Sequence, residues 1–381
     1  MAPPSDRHPG GQEPAPGEAP PLTSPAQEGS LAPGSPAQAR QEKPTPTQGK
    51  KEESAPGDQE SQSTTTTSSG AQDPEEQPVV GLIGKVEVGR TSGSATAETP
   101  IVVPPGRNGL TPRLVLRYSS VGGPSPYGKG WQLELGRVVR SARRGVPRYD
   151  GTDGFQLFLP EGQMVELVTQ TNESPSLPLG QFRWVPKVEE AFLRVVQDTG
   201  NNTWVVWDKG GTKFTFGGAN AWVGKDTRSA SGTFGWYLTR IQDPNGNTLQ
   251  ITYTAIPGGD LGSVAYAYPD KIHYGGNGDD SNPEANFPHK HHVTFVWDSL
   301  RPDRVESGTG GYLSRISQRL QKIEISTDGS NANRPFQTYE LAYNPSPNGG
   351  QSLLASVTRT GVELSDGTSK SLPAVLLVLT R

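Results

Sequence analysis

Apolar and polar residues alternate with a period of two in short segments that glycine- and proline-rich turns separate, and this pattern limits the fold more than any other feature. In 114–119, Leu114, Leu116 and Tyr118 share one face, and 131–135 repeats the alternation after a loop. Neighbouring side chains of a β-strand point to opposite faces, so this period favours strands over helices. The sequence predicts an all-β fold in which hairpins and meanders build one large, twisted antiparallel sheet.

Two hairpins are predicted from their turns. Segments 204–207 and 214–216 bracket Asp-Lys-Gly-Gly, and 237–253 contains Asp-Pro-Asn-Gly. In the second turn Pro244 fixes one φ angle, and Gly246 accepts the positive φ that a tight turn requires. Further strands are predicted near 292–297, 319–326, 336–343, 353–358 and 375–380.

The segment 312–323 allows two interpretations. Its apolar residues lie three or four apart, which is typical of an amphipathic helix. Ile323 and Ile325 alternate, however, and Thr-Asp-Gly follows them as a turn. The alternation favours a strand for the second half of this segment.

Residues 1–78 differ in composition from the rest of the chain. They contain no Phe, Trp, Tyr, Val or Ile and are rich in Pro, Gly, Gln, Ser and Glu. Such a segment cannot bury enough apolar surface to offset the entropy lost on ordering. We therefore predict a disordered leader over 1–78 and a single β domain over 79–381.

Charge and composition exclude several classes of protein. The chain has 35 basic and 39 acidic residues and no cysteine. Balanced charge predicts no nucleic-acid partner, and the lack of a span of about 20 apolar residues predicts no membrane insertion. Without cysteine there are no disulfides, thiol nucleophiles or cysteine-based metal sites. The N-terminus lacks a signal-peptide layout, so we predict secretion by a signal-independent route, with a cytoplasmic location before export as the alternative.

Two groups of polar residues are candidates for metal or acid–base chemistry. His-Lys-His-His at 289–292 follows two aspartates at 279–280, but a metal site needs further ligands at fixed geometry. Asp150, Asp153 and Glu161 lie near a turn without calcium-loop spacing. We interpret the first group as a polar loop and the second as turn-capping carboxylates, and we predict no metal, no cofactor and no catalytic residue.

Arginines and tryptophans offer two further candidates. Arg140, Arg143, Arg144 and Arg148 cluster, but nucleic-acid binding needs a wider basic face, so we expect them to pair with carboxylates or to border an interface. The seven tryptophans could stack on sugars, which leaves a carbohydrate- or surface-binding β module as an alternative function. Tryptophans more often fill large β cores.

An ordered series of motifs carries a family resemblance. Pro-Pro-Gly-Arg-Asn-Gly-Leu-Thr-Pro at 104–112 precedes Leu-Arg-Tyr-Ser-Ser at 116–120 and Tyr-Gly-Lys-Gly-Trp at 127–131, and Gly-Val-Pro-Arg-Tyr-Asp follows at 145–150. The series resembles the SpvB-like domain at the start of toxin-complex B components and of proteins related to the RHS/YD-repeat shell. The residues that carry the resemblance are Gly106, Tyr118, Gly130, Trp131, Pro147, Arg148, Tyr149, Asp150, Asp153, Gly246, Arg301, Pro302 and Asp303.

The resemblance implies a structural function. It implies an encapsulating part of a bacterial toxin complex that acts by association with another RHS or toxin-complex chain or with a second copy. The implied fold is a curled shell segment, with a β-propeller or a sandwich as alternatives. Unpaired strand edges of such a segment favour a protein partner. ADP-ribosyltransferases that carry an SpvB-like domain use a Glu-x-Glu pair. The chain contains no such pair, and we therefore expect it not to be an enzyme.

The resemblance raises one more chemical possibility. Asp243-Pro-Asn-Gly is similar to the Asp-Pro-x-Gly element of the self-cleavage site in RHS proteins, but Asn247 replaces the expected Leu or Trp. A β-turn accounts for the same residues without catalysis. We therefore interpret this element as a turn.

Overall fold

The computed structural model describes residues 87–88, 93–160, 162–170, 177–188, 192–225, 231–257, 264–277, 287–299, 301–328, 335–363 and 365–376. The predicted disordered leader, 1–78, lies outside the described residues, as do Glu161 and the aspartates at 279–280. All described residues fall within one unit, Pro74–Arg381. The limits 79–381 of a single β domain stay a prediction.

The described residues form 23 strands and one 3-10 turn, and no helix among them is long and apolar enough to cross a membrane. The prediction of an all-β fold is confirmed, and 312–323 forms two strands rather than a helix. The elements are β1 Glu87–Val88, β2 Ala95–Ile101, the 3-10 turn Arg107–Gly109, β3 Leu114–Ser119, β4 Trp131–Leu133, β5 Arg137–Arg140, β6 Phe155–Phe158, β7 Met164–Thr169, β8 Gln181–Pro186, β9 Arg194–Asp198, β10 Thr203–Trp207, β11 Lys213–Gly217, β12 Trp222–Gly224, β13 Thr233–Gln242, β14 Thr248–Pro257, β15 Val264–Gly276, β16 His291–Asp298, β17 Val305–Ser307, β18 Ser314–Ile316, β19 Arg319–Thr327, β20 Gln337–Pro345, β21 Ser352–Val362, β22 Ser369–Ser371 and β23 Val375–Leu376.

Eight antiparallel strands close into a barrel. The ring runs β5–β6–β7–β8–β9–β10–β11–β13 and returns to β5. The closing pairs are Trp236 with Val138 and Gly235 with Val139 on one edge of β13, and Phe214 with Ile241 on the other. An eight-stranded barrel is just wide enough for side chains to fill its interior. The predicted hairpin sheet is therefore present, and part of it closes on itself.

The remaining strands extend the barrel from β13. A meander, β14–β15–β16–β19–β20–β21, begins with the pairing of β13 and β14 and ends where β22 and β23 pair with β21. A separate sheet runs β1–β2–β3–β4, and β17 pairs with β18. Both predicted hairpins are confirmed, because β10 pairs with β11 and β13 pairs with β14 around the expected turns.

Aromatic side chains fill one end of the barrel. Trp204 and Trp236 are fully buried, and their ring centroids lie 5.6 Å apart in an edge-on arrangement. Phe155 lies 4.7 Å from Trp184 and 4.8 Å from Trp204. Edge-to-face pairs at these distances stabilise a core beyond the area that they bury. We call Phe155, Trp184, Trp204 and Trp236 the aromatic plug.

The aromatic plug requires a glycine beside it. Gly217 has φ +85°, and a Cβ there would lie 2.5 Å from the Asn202 carbonyl oxygen and 2.6 Å from Cδ1 of Trp236. The next residue, Gly218, has nearly the same φ of +87°, but its nearest neighbour would be 3.9 Å away. Substituting each glycine therefore distinguishes the free-energy cost of the left-handed backbone, which both share, from that of a clash with Asn202 and Trp236, which only Gly217 would have.

We predict that Gly217→Ala destabilises the protein far more than Gly218→Ala. The control should lose about 1 kcal/mol for its left-handed backbone, whereas Gly217→Ala should lose about 3 kcal/mol because overpacking against the plug is added. Chemical denaturation of the two variants checks this. Equal losses would show that the contact with Trp236 does not constrain the barrel.

Candidate functional site

The loop 145–153, the most distinctive motif of the sequence, caps the aromatic plug. Arg140 ends β5 and is 5 % exposed. Its Nη1 donates to Oδ2 of Asp153 at 3.0 Å, and its Nε donates to the Thr233 carbonyl at 2.8 Å. The guanidinium carbon lies 5.1 Å from the centroid of the Phe155 ring, which is a cation–π distance.

Burial and pairing act in opposite directions on Arg140. Burial lowers the pKa of its guanidinium, and the charge of Asp153 opposes that change. The Asp153 side chain is only 8 % exposed, so the pair lies almost wholly out of water. A buried charge that loses its partner is strongly destabilising. The ion pair therefore couples the loop to the end of the barrel.

Asp153 also fixes the conformation of its own loop. Oδ1 accepts the amide of Arg148 at 2.9 Å, and Oδ2 accepts the amide of Tyr149 at 2.8 Å. Tyr149 has φ +62°, a left-handed conformation that costs energy in residues other than glycine. The two accepted amides compensate for this strain, and Pro147 is buried in the same loop.

Tyr149 connects the loop to a second segment. Its hydroxyl donates to the Gly310 carbonyl at 2.6 Å, and burial raises its pKa to about 12. Two cations lie at cation–π distance from the ring centroid, with Cζ of Arg140 at 4.8 Å and Nζ of Lys225 at 4.2 Å. Tyr149 is thus held neutral in a fixed position.

Asp150 has a local structural contact. It is exposed and accepts the amide of Thr152 at 3.0 Å and its hydroxyl at 2.6 Å, and these bonds lower its pKa. The placement of Asp150 and Asp153 agrees with turn capping rather than with paired acid–base chemistry.

We predict that Asp153→Asn lowers the free energy of unfolding by about 3 kcal/mol, because it leaves the Arg140 charge buried without a counter-ion. Asp150→Asn is the matched control, since Asp150 is exposed and caps only Thr152. Thermal melting should show a large fall for the first variant and almost none for the second. A double variant, Arg140→Met with Asp153→Asn, should recover part of the loss. Similar melting temperatures for Asp153→Asn and the wild type would contradict the assigned role.

A second polar network lies on the sheet that extends the barrel. The Arg301 side chain is fully buried and forms a bidentate pair with Asp303, with Nε to Oδ1 at 2.9 Å and Nη2 to Oδ2 at 3.1 Å. Its Nη1 donates to the Ser125 carbonyl at 2.7 Å. Asp303 also accepts the amide of Ser352 at 2.6 Å. Pro302 between the paired residues is exposed.

The Arg301–Asp303 pair connects its own loop to the segments that contain Ser125 and Ser352. Burial alone would raise the pKa of Asp303, but the bonds from Arg301 and Ser352 outweigh it and lower that pKa. Ser352 begins β21, and its carbonyl accepts the amide of Lys129 at 2.8 Å. The loop that precedes β4 is thereby bound to β21.

The remaining motif residues support close packing. Gly130 has φ +79°, and a Cβ there would lie 2.6 Å from the Ser119 carbonyl oxygen and from the Tyr118 ring. Tyr118 and Trp131 pack with centroids 5.3 Å apart. A Cβ on Gly106 would overlap the carbonyl of Leu110, which directly follows the 3-10 turn.

The Asp-Pro-Asn-Gly element forms the predicted turn. The Gly246 amide donates to the Asp243 carbonyl at 3.0 Å, with φ +81° at Gly246. Oδ1 of Asp243 accepts the amides of Asn245 at 2.9 Å and of Asn247 at 2.8 Å. Burial alone would raise the pKa of Asp243, but its hydrogen bonds from Asn247 and Asn108 outweigh that effect and lower it. A carboxylate held in this way stabilises the turn.

The tryptophans pack inside the protein rather than form an exposed platform. Trp131, Trp184, Trp204, Trp222 and Trp236 are buried. The other two are half-buried: Arg194 covers the Trp207 ring at 4.7 Å, and Trp297 donates to the Pro269 carbonyl at 2.8 Å. This arrangement does not offer the flat, open rings that sugar stacking needs.

The histidines meet across strands. Nδ1 of His273 lies 2.8 Å from Nδ1 of His292, whose Nε2 lies 2.9 Å from the Asp328 carboxylate. A carboxylate accepts, so in the neutral form of His292 Nε2 carries the proton, Nδ1 accepts, and His273 donates. Within the described residues no group of three or more His, Asp or Glu side chains could hold a metal ion. The sequence did not indicate His273 or Asp328, because cross-strand register decides their positions.

We predict that His273 makes the folded state less stable as acidity increases. Burial, followed by the nearby His292, His289 and Lys271 charges, lowers its pKa from 6.5 to about 4 against the weaker opposing effect of Asp270. The unfolded chain therefore binds this proton first, and stability falls as the pH drops from about 7 to 4. Melting temperatures should fall less steeply over that range in His273→Gln than in the wild type, by on the order of 2–4 °C. Identical pH profiles would contradict the assignment.

Comparisons with known proteins identify what the chain is similar to. The family described as Salmonella virulence plasmid 65kDa B protein matches residues 90–281. Curated relatives from Salmonella choleraesuis and Salmonella enteritidis, both named mono(ADP-ribosyl)transferase SpvB, are 27% identical over 237 residues. The match covers 55% of this chain and 38% of those relatives, so the chain spans well under half of their length.

These relatives correct one prediction. We expected the chain not to be an enzyme, and that prediction is contradicted, because the matching proteins are named as transferases. The expectation rested on the lack of a Glu-x-Glu pair within 381 residues. The relatives extend far beyond the matched part, so a motif search within this chain does not decide the activity of such a protein.

Solved structures share the fold. A crystal structure of TcdB2-TccC3 matches with 23% identity and a TM-score of 0.65 over 78% of this chain and 17% of that chain. The N-terminal domain of the effector protein SpvB from Salmonella typhimurium matches with 20% identity and a TM-score of 0.57 over 69% of this chain and 98% of that domain. The Tc holotoxin pore of Photorhabdus luminescens matches with 22% identity and a TM-score of 0.63, over 80% of this chain and 16% of that chain.

Proposed function

The chain belongs to the Salmonella virulence plasmid 65kDa B protein family, and from this premise we propose that its β domain is a structural segment of a bacterial toxin assembly. The domain encloses or supports the toxin by associating with another protein chain. The observation that carries the proposal is the likeness of 78% of this chain to only 17% of a TcdB2-TccC3 chain. In TcdB2-TccC3 this fold forms one part of a much larger protein. The same fold in the present chain is suited to form one part of a larger wall.

The internal bonding of the domain supports a structural role. The aromatic plug, the capped loop 145–153 and the Arg301–Asp303 pair each bind segments that are distant in sequence. The charged groups of the loop and of the Arg301–Asp303 pair form ion pairs within the protein. Such an arrangement makes these segments more rigid than a typical binding loop.

The edge of the extension supports association. The outer side of β21 pairs with β23 at 356–357 and with β22 at 360–362, and these two outer strands have two and three residues. The side chains of β22, Ser369–Ser371, are exposed. Among the described residues β22 pairs with β21 alone, and an unpaired strand edge can pair with another chain. We infer that a partner chain of the toxin-complex class, or a second copy, continues the sheet there.

The route of export follows from the same proposal. The matched N-terminal domain belongs to a protein described as an effector, which agrees with action outside the producing cell. We infer export without an ordinary signal peptide, with the protein cytoplasmic until then. The transferase named for the curated relatives is a property of those longer proteins, and the present proposal concerns the β domain alone.

We predict that the amides of 369–376 that do not donate to β21 exchange rapidly with deuterium in the isolated full-length chain and slowly in its assembly with a toxin-complex chain. Pro373 has no amide proton, and the Leu372 amide already donates to the Arg359 carbonyl at 2.9 Å, so neither is a reporter. Strand addition would give these amides new hydrogen-bond acceptors. Amides of β13, which pair on both edges, serve as the internal control and should be protected in both states. A stable complex that leaves 369–376 unprotected would contradict association through this edge.

A further inference from the structure

A cavity of about 560 Å³ opens at the barrel end opposite the aromatic plug. The register places it there. Phe214 near the start of β11 and Leu193 directly before β9 both lie on the side remote from Trp204, and Leu238 lies two residues beyond Trp236. The segment 110–114 borders the opening. Its volume is within the range typical of small-molecule sites.

Aliphatic side chains form much of the cavity wall. Its wall contains side chains from the barrel and from the extension, namely Leu135, Leu193, Leu238, Ile241, Leu249 and Ile272. Each of these six residues is buried, at 9 % exposure or less. Branched aliphatic walls favour a flexible hydrocarbon.

Charged groups at the cavity mostly have partners within the protein. Glu134 pairs with Arg137 at 2.5 Å, and Asp208 accepts the amide of Thr212 at 2.9 Å. Lys209, in the turn between β10 and β11, is exposed and makes no ion pair in the part of the chain that the structure describes. A cation at the mouth of an aliphatic cavity is suited to the anionic head of an amphipathic ligand.

We propose that this cavity binds a medium-chain aliphatic carboxylate. The hydrocarbon chain enters the barrel end among the leucines and isoleucines, and the carboxylate stays at the rim beside the Lys209 ammonium. This is a binding site separate from the structural role proposed above, and its test does not depend on any partner chain.

Calorimetric titration of the full-length chain with dodecanoate, below its micellar concentration, tests the site. Binding should tighten by about threefold to fourfold in Kd for each methylene from octanoate to dodecanoate, since each buries one more methylene. Dodecanol and dodecyltrimethylammonium, which keep the tail and change the head, should bind at least tenfold more weakly. Equal binding of all three, or none, would overturn the proposal.

Two variants locate the binding. Lys209→Glu should weaken dodecanoate binding at least tenfold, whereas Lys370→Glu makes the same charge change at an exposed residue on β22 and should have no effect. Leu110→Trp, at the half-buried mouth, should block entry. If Leu110→Trp does not fold, the comparison of Lys209→Glu with Lys370→Glu alone decides whether the ligand binds at this cavity. Unchanged affinity in Lys209→Glu would place the ligand elsewhere and overturn the assignment.

Discussion

Strand β13 is the element on which the rest of the structure depends, because both of its edges are shared. Its first half pairs with β5 and β12, and its second half pairs with β11 and β14. The pairing with β5 and β11 closes the barrel, while the pairing with β14 starts the extension. One ten-residue strand therefore joins a closed barrel to the sheet that extends from it.

Packing and polar bonding then reinforce this junction from two sides. Trp236 of β13 contributes to the aromatic plug, and the Thr233 carbonyl of the same strand accepts from Arg140. Arg140 in turn holds the loop 145–153 through Asp153. The most recognisable string of the sequence thus folds into a cap, and its distinctive residues are explained by the shape and charge that the barrel end requires.

The sequence predicted local structure well and distant contacts poorly, for physical reasons. Turns such as 243–246 and the alternation in 114–119 are set by neighbouring residues, so both hairpins and most strands could be predicted. Barrel closure depends on the pairing of Val138 with Trp236, which no local pattern encodes. The bond from Arg301 to the Ser125 carbonyl spans 176 residues, and the contact of His273 with His292 depends on register. The motif residues could be listed from the sequence, but their partners could not.

The central claim is that this domain is one wall segment of a larger assembly and continues into its partner through the short outer strands of the extension. A structure by electron cryo-microscopy of the full-length chain assembled with a toxin-complex chain tests it most directly. The account predicts an intact barrel and a partner strand hydrogen-bonded beside β22 and β23. An assembly in which those strands face solvent, with the partner bound elsewhere, would contradict it.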